Sequence, residues 1–397
     1  MPSTTATIPN VQVFQNGEAG IACYRIPAIV RMITGELLAV AEARVNNCLD
    51  HGGPIRLAVK IGDPTGQTWS VPIFVSHNVL PDGEEQVVQN ASPVVDLMDL
   101  EHPGKIVMLF NKAEHGERGV TGRQSVRRFF SIESLDNGRT WINERDITEQ
   151  VHRPNLPEYT RVHADAAKRY NDPADWRATF PPVGHGIQLQ GGENGDLPTR
   201  GRLVFATYFT RGEASVMQGQ AHLIYSDDHG KTWVNGDPSP VVGVNEMMAA
   251  EDRHGDVLVN FRSYVGTATL NIREADMSKG RGQYTFRTRA DGSYEVPTSL
   301  KHHPELPMPP AGLQGSIHRV RDEPIGPLFY SGCDNSEARR GLALFRSDDE
   351  GETWQLFKRI DPGPSAYSDL VTLQDGRIGI LYETGGDDGI VFGTMQI

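Results

Sequence analysis

An all-β propeller is the fold predicted by this sequence, through a repeated turn and the strands beside it. The eight-residue phrase SDDHGKTW at 226–233 nearly recurs as SLDNGRTW at 134–141 and SDDEGETW at 347–354, with a worn copy, GDPTGQTW, at 62–69. Each full copy follows a strand-like run: RFFSIES, AHLIYS or LALFRS. Further short runs, KIVMLFN, RLVFATYF, DVLVNFRSY and RIGILYE, lie between copies among DG, NG and GG turn signals. A fixed phrase at unequal intervals describes blades that carry insertions of different length.

The chemistry of the phrase is that of a self-locked hairpin turn. Its Asp can accept backbone N–H bonds, its Gly can take a positive φ, and its Ser or Thr hydroxyl can close a further local bond. Four of the five tryptophans, Trp69, Trp141, Trp233 and Trp354, sit in these copies, placed to fold back on the adjoining strands. Helical periodicity is scarce. The best helical candidate is HADAAKRYNDPADW at 163–176, inside a stretch from 143 to 180 that carries no reading of its own.

Composition narrows the function. The 397 residues are 38% hydrophobic, enough for a large core, and are read as one domain spanning 1–397. A net charge of −13 disfavours nucleic acid or an anionic membrane as the main partner, yet leaves room for a basic pocket that takes a small anion. The three cysteines, Cys23, Cys48 and Cys333, form no CxxC pair and read as buried free thiols. No apolar run approaches the length of a membrane span, and no obligate protein partner is evident. The opening residues have neither a basic nor an apolar leader region.

Several polar residues stand where a plain scaffold would not need them. In CYRIPAIV, Arg25 precedes a strand that is otherwise apolar, a costly position unless it meets an anion. In AVAEARVNNCLDHGG, Glu42 and Arg44 end a strand and Asp50 follows on a loop, with His51 beside it as a rival proton carrier. VNEMMAAEDRHGDVLVNFRSY is a hairpin that can bring Glu246 and Arg262 to one face, leaving Glu251 as a solvated residue near the turn. NSEARRGLALF offers Arg339 and Arg340, of which strand alternation lets only one face a site. GPSAYSDLVTLQDGRIGILYE places Tyr367 before one strand and Glu383 at the end of the next.

These residues, in this order, resemble the sialidases, and the repeated phrase resembles their Asp-box. The resemblance covers roughly residues 20–395 and implies a six-bladed propeller. It also implies a retaining exo-α-sialidase acting on terminal α-linked sialic acids, N-acetylneuraminic acid or its deaminated analogue KDN. The overall look is similar to fungal KDN-preferring sialidases. Arg25, Arg262 and Arg339 would bind the substrate carboxylate; Tyr367 would be the nucleophile, Glu246 its base, and Asp50 the general acid and base. Glu383 would brace Arg25, with Glu42 and Arg44 in support and Arg44 toward the sugar's ring hydroxyls. VGHGIQL at 183–189 and LQGSI at 313–317 resemble two segments of the substrate rim. No metal or cofactor is required. Secretion is expected if a leader precedes Met1, and a cytoplasmic site if Met1 is the native start. The competing reading is a carbohydrate-binding propeller without catalysis; a glycosidase for neutral glucans would want a carboxylate pair and no arginine cluster.

Overall fold

The computed structural model describes residues 8–50, 53–76, 79, 83, 85, 87–113, 127–152, 176–211, 219–240, 243–263, 280–309, 312–321, 325–385 and 388–397. Six blades surround an axis. The first comprises Cys23–Arg31, Leu37–Arg44, Ile55–Gly62 and Ile73–Ser76; the second Val87–Asp96, Lys105–Ala113, Arg127–Ser134 and Ile142–Asp146. In the third, the inner strand comes in two pieces, Trp176–Phe180 and Ile187–Gln188, both paired to Leu203–Arg211, with Gln220–Ser226 and Val234–Asn235 outside. The fourth is Val244–Glu251, Val257–Ser263, Gly280–Phe286 and Lys301–Pro307; the fifth Ser316–Arg321, Ile325–Cys333, Arg340–Ser347 and Gln355–Pro364. The sixth is Ser368–Thr372, Ile378–Glu383 and Gly389–Met395, completed by Asn10–Gln15 from the start of the chain. That last pairing seals the ring.

Hydrogen bonding alone merges the first two blades into one eight-stranded sheet, but the link is a single parallel pair, Ile55 with Val87. The core counts six. Its large apolar clusters lie one between each pair of successive blades, as with Leu38 and Val40 against Val88 and Phe110, or Tyr24 and Leu37 against Val371 and Phe392. The inner strands also touch in ring order, first to sixth and back to first. Each sheet thus buries both faces on its neighbours, the arrangement that lets short twisted sheets share one core.

The repeated phrases sit where the third strand of blades one, two, three and five turns toward the outer strand. In the copy at 226–233, Asp228 Oδ1 accepts the Thr232 N–H and Oδ2 accepts its hydroxyl, at 2.8 and 2.6 Å. The Ser226 hydroxyl accepts the Gly230 N–H at 2.8 Å. The copies at Asp136 and Asp349 repeat this pattern. Desolvation opposes ionisation of these three carboxyls, but the Thr and Ser bonds outweigh it and hold them below the usual Asp range.

The glycine of the phrase has a second reason to be glycine. Gly66 has φ +69°, and a Cβ there would meet Phe392 of the sixth blade at 2.1 Å; at Gly138, φ +77°, it would meet Leu38 of the first at 2.7 Å. Each box therefore docks backbone against the preceding blade. Trp233 lies in the layer between blades two and three, its ring edge-on to Phe205 at 5.6 Å. Trp233→Ala is accordingly expected to cost about 3–5 kcal/mol of stability with little change in substrate affinity. Denaturant unfolding beside steady-state kinetics checks this, and an unchanged midpoint with weakened binding would contradict the scaffold role.

Two expectations need correction. Cys23 and Cys48 form a disulfide, with Cα atoms 5.2 Å apart, and only Cys333 is free and buried. Backbone pairing of Cys23 with Arg44 brings the two cysteines together when the loop after Arg44 folds back, which residue spacing does not reveal. Glu251 is buried rather than solvated, because it accepts three backbone N–H groups, of Gln190, Gly191 and Gly192, from the adjacent blade. The helical candidate falls at 163–175 outside the described residues, and Trp176 opens a strand.

Candidate active site

One end of the ring collects the starts of the inner strands and the ends of the second strands, which return to the same end by antiparallel pairing. Arg25 and Glu246 stand near such starts and Tyr367 immediately before one; Arg44, Arg262 and Glu383 stand at such ends. Three inner strands depart from regular pairing there, between Arg25 and Ala28, Gln89 and Ser92, and Val244 and Met247. Bulges of this kind re-aim side chains. Two of them carry a residue of left-handed backbone, Ile26 at φ 60° and Asn90 at φ 55°. For a β-branched residue such as Ile26 that is a strained conformation, and a partner compensates it. Glu383 Oε1 accepts the Ile26 N–H at 2.8 Å, and Glu42 Oε1 accepts the Asn90 N–H at 2.9 Å.

Glu383 also receives Arg25 through a two-pronged contact at 3.2 and 2.9 Å. The Arg25 proton is held more firmly than usual, chiefly by Glu383 and against the cost of burial, with Tyr367 and Asp50 also in its field. Arg25 keeps 23% of its side chain open to solvent. Its guanidinium lies 5.3 Å from the centre of the Tyr367 ring, and that of Arg339 lies 5.9 Å from it. Arg262 Nη1 donates to Glu246 Oε2 at 2.6 Å and to the Tyr367 hydroxyl at 3.1 Å. The Tyr367 hydroxyl in turn donates to Glu246 Oε1.

The phenol is buried, and burial first and Glu246 second push its pKa well above 10, against the pull of Arg262, Arg25 and Arg339. At rest it is a neutral donor to a carboxylate. Arg339 donates to the Gly312 carbonyl at 3.2 Å, whereas Arg340 turns the other way, toward the Pro362 carbonyl at 3.5 Å. The alternation of the strand separates them.

Asp50 occupies the loop tied down by the disulfide. Its side chain is 43% exposed, with Oδ1 2.6 Å from Arg44 Nη2. Arg44 is itself buried and also engages Glu42 at 2.8 Å and the Cys48 carbonyl at 2.6 Å. It thereby ties Asp50 to the end of the strand that carries Glu42. Burial raises the Glu42 pKa although Arg44 and the Asn90 N–H oppose it. His51 falls outside the described residues.

Sequence reading missed the floor of the site. Gln314 is buried and donates to the carbonyls of Val183 and Ser368, while its oxygen accepts the Ser368 N–H. Asp369 accepts the Ile29 N–H, the Ser316 hydroxyl and His185 Nδ1, joining four blades beneath Tyr367. The segments at 183–189 and 313–317 thus carry floor residues, with His185 and Gln314 buried, instead of forming only a rim.

Residues 35–380 match the family of BNR repeat-like domains. A sialidase of Micromonospora viridifaciens is 29% identical over 389 residues, covering 93% of this chain and 51% of that protein. Sialidase-3 of Bos taurus is 26% identical over 435 residues, covering 97% of this chain and 91% of its own. Among solved structures, a Hadza microbial sialidase superposes with a TM-score of 0.74 at 23% identity, covering 98% of this chain and 68% of the other. The chain spans about half the length of the Micromonospora relative. With a repeat match over most of its length and sialidases among its relatives, the chain belongs to the exo-α-sialidase family, a family of glycoside hydrolases.

Proposed function

We propose that this protein is a retaining exo-α-sialidase that releases terminal α-linked sialic acids, N-acetylneuraminic acid or KDN, from glycans. The observation that carries the reading is the Tyr367–Glu246–Arg262 cluster, with Arg25 and Arg339 on the same phenol ring. Three guanidinium groups converging on one place suit a sugar with a carboxylate on its anomeric carbon. That carboxylate would repel an anionic nucleophile, whereas a neutral phenol meets no such barrier. Sialidases accordingly depart from the two-carboxylate pattern of most glycosidases by using a tyrosine nucleophile.

In the first step the Tyr367 oxygen attacks the anomeric carbon and its proton passes to Glu246. The glycosidic bond breaks, and Asp50 protonates the leaving oxygen. In the second step Asp50 takes a proton from water, whose oxygen displaces Tyr367 from the sugar. The phenolate recovers its proton from Glu246. Arg25, Arg262 and Arg339 offset the charge changes of the oxocarbenium-like transition state. Two inversions give net retention.

A fluorogenic sialoside tests the activity: release of the fluorophore supports it, and binding without release favours the non-catalytic propeller. Rates on KDN and N-acetylneuraminic acid glycosides decide the sugar. Arg339→Ala is expected to lower kcat/KM by about 30- to 1,000-fold, roughly 2–4 kcal/mol, by analogy with loss of one preorganised donor. Arg340→Ala should change it little; loss confined to Arg340→Ala would contradict the assignment. The disulfide supports an oxidising compartment as the working location, since such bonds persist outside the reducing cytosol. Thiol titration of protein taken from its native compartment tests that point, with three free thiols as the contrary result.

A further inference from the structure

Behind the catalytic cluster lies a charge that the mechanism above does not use. Arg281, on the third strand of blade four, is 0% exposed. It forms no ion pair among the described residues. Its Nε donates to Asn260 Oδ1 at 2.6 Å and its Nη1 to the Leu313 carbonyl at 2.5 Å, both neutral acceptors. The guanidinium stands 5.3 Å from the centre of the Tyr330 ring, and Nη2 has no hydrogen-bond partner among the described residues. A guanidinium cannot shed its charge, and burying one without a counter-charge is strongly unfavourable. Both acceptors are neutral, and an uncharged donor would satisfy them, so their hydrogen bonding alone does not call for a full positive charge.

Its surroundings point to the site. Phe261 pairs with Met247 on one side and with Gly282 on the other, so Glu246, Arg262 and Arg281 lie next to that row on three successive strands of the blade. Tyr330 faces Arg281 from blade five. His303 lies opposite on the outer strand, its ring engaged with Glu305. Leu313, whose carbonyl Arg281 holds, follows Gly312, whose carbonyl takes Arg339 and whose Cα lies against Arg262.

We propose that Arg281 is a positioning residue whose uncompensated charge, set behind Glu246, keeps that group in the carboxylate form needed to accept the Tyr367 proton. The inference rests on Glu246 being the base for Tyr367. Arg262 is shared between Glu246 and the phenol and also meets the substrate, whereas Arg281 meets neither phenol nor substrate. Its field persists through every step.

The test is the pH profile of kcat/KM for Arg281→Met, which removes the charge at similar volume, and Arg281→Lys, which keeps it. A lost positive neighbour disfavours a charged carboxylate, so the acid limb of the Met variant is expected about one pH unit higher, with about tenfold lower activity at the acid end. The Lys variant should retain the wild-type limb even if its maximum falls. Equal losses in both variants with unmoved limbs would mean that Arg281 only packs, and would overturn the proposal; so would an unchanged Met variant. If Arg281→Met does not fold, Arg281→Gln replaces it in the same comparison. Residual activity of Glu246→Gln is measured alongside: an acid limb that survives there removes Glu246 as the base, a failure distinct from that of Arg281.

Discussion

Tyr367→Phe is expected to lower turnover of both natural and aryl sialosides by about 10⁴-fold or more, while the protein remains folded. The ring fills its place between Arg25 and Arg339 with or without its hydroxyl, so packing survives and only the attacking atom is lost. Melting temperature and near-ultraviolet circular dichroism should match the wild type. The pH dependence follows from the same geometry. Burial and Glu246 hold the native phenol well above its usual 10, so deprotonation of Tyr367 at rest is disfavoured throughout the working range. Activity should therefore not climb as pH approaches 10. A rate that rose there would contradict the neutral resting phenol, and a Phe variant near wild-type speed would remove Tyr367 from the chemistry.

Asp50→Asn is expected to slow natural substrates by about 10²–10⁴-fold and aryl glycosides with good leaving groups far less. A poor leaving oxygen needs a proton as its bond breaks, and a phenolate of low pKa does not. Asn keeps the shape of Asp50 and can still accept a bond from Arg44, so the loop should hold its place on the disulfide. The comparison reads out protonation, since both substrates share the nucleophilic step. Equal losses on the two would shift the general-acid role to His51 or another group.

The turns were legible in the sequence because their chemistry is local. Asp228, Gly230 and Thr232 are set by bonds that close within the phrase, and the same letters therefore recur wherever the turn recurs. Arg25, Glu246, Arg262, Tyr367 and Glu383 were legible for another reason: each sits in a short recognisable segment at one end of a strand. What was hidden depends on contacts between distant blades. The disulfide needs Cys23 opposite Arg44, Glu251 needs the turn at 190–192, and Asp369 needs His185 and Ser316, none of them near in sequence. Closure of the ring by Asn10–Gln15 is hidden likewise, because an amphipathic edge strand does not announce its partner. Arg281 left a faint signal, an arginine in the strand GRGQYTF, but its burial and its lack of a counter-charge emerge only from packing.

The covalent step admits the most direct test. A 2,3-difluoro sialic acid should lose its anomeric fluoride to Tyr367, forming an aryl glycoside as the phenol proton passes to Glu246; the second fluorine destabilises the oxocarbenium-like state and slows hydrolysis. Mass spectrometry of the digested, trapped protein is the measurement. A single sialosyl group on the peptide that contains Tyr367 is the predicted result, and an inactivated protein with the sugar on any other residue would contradict the account.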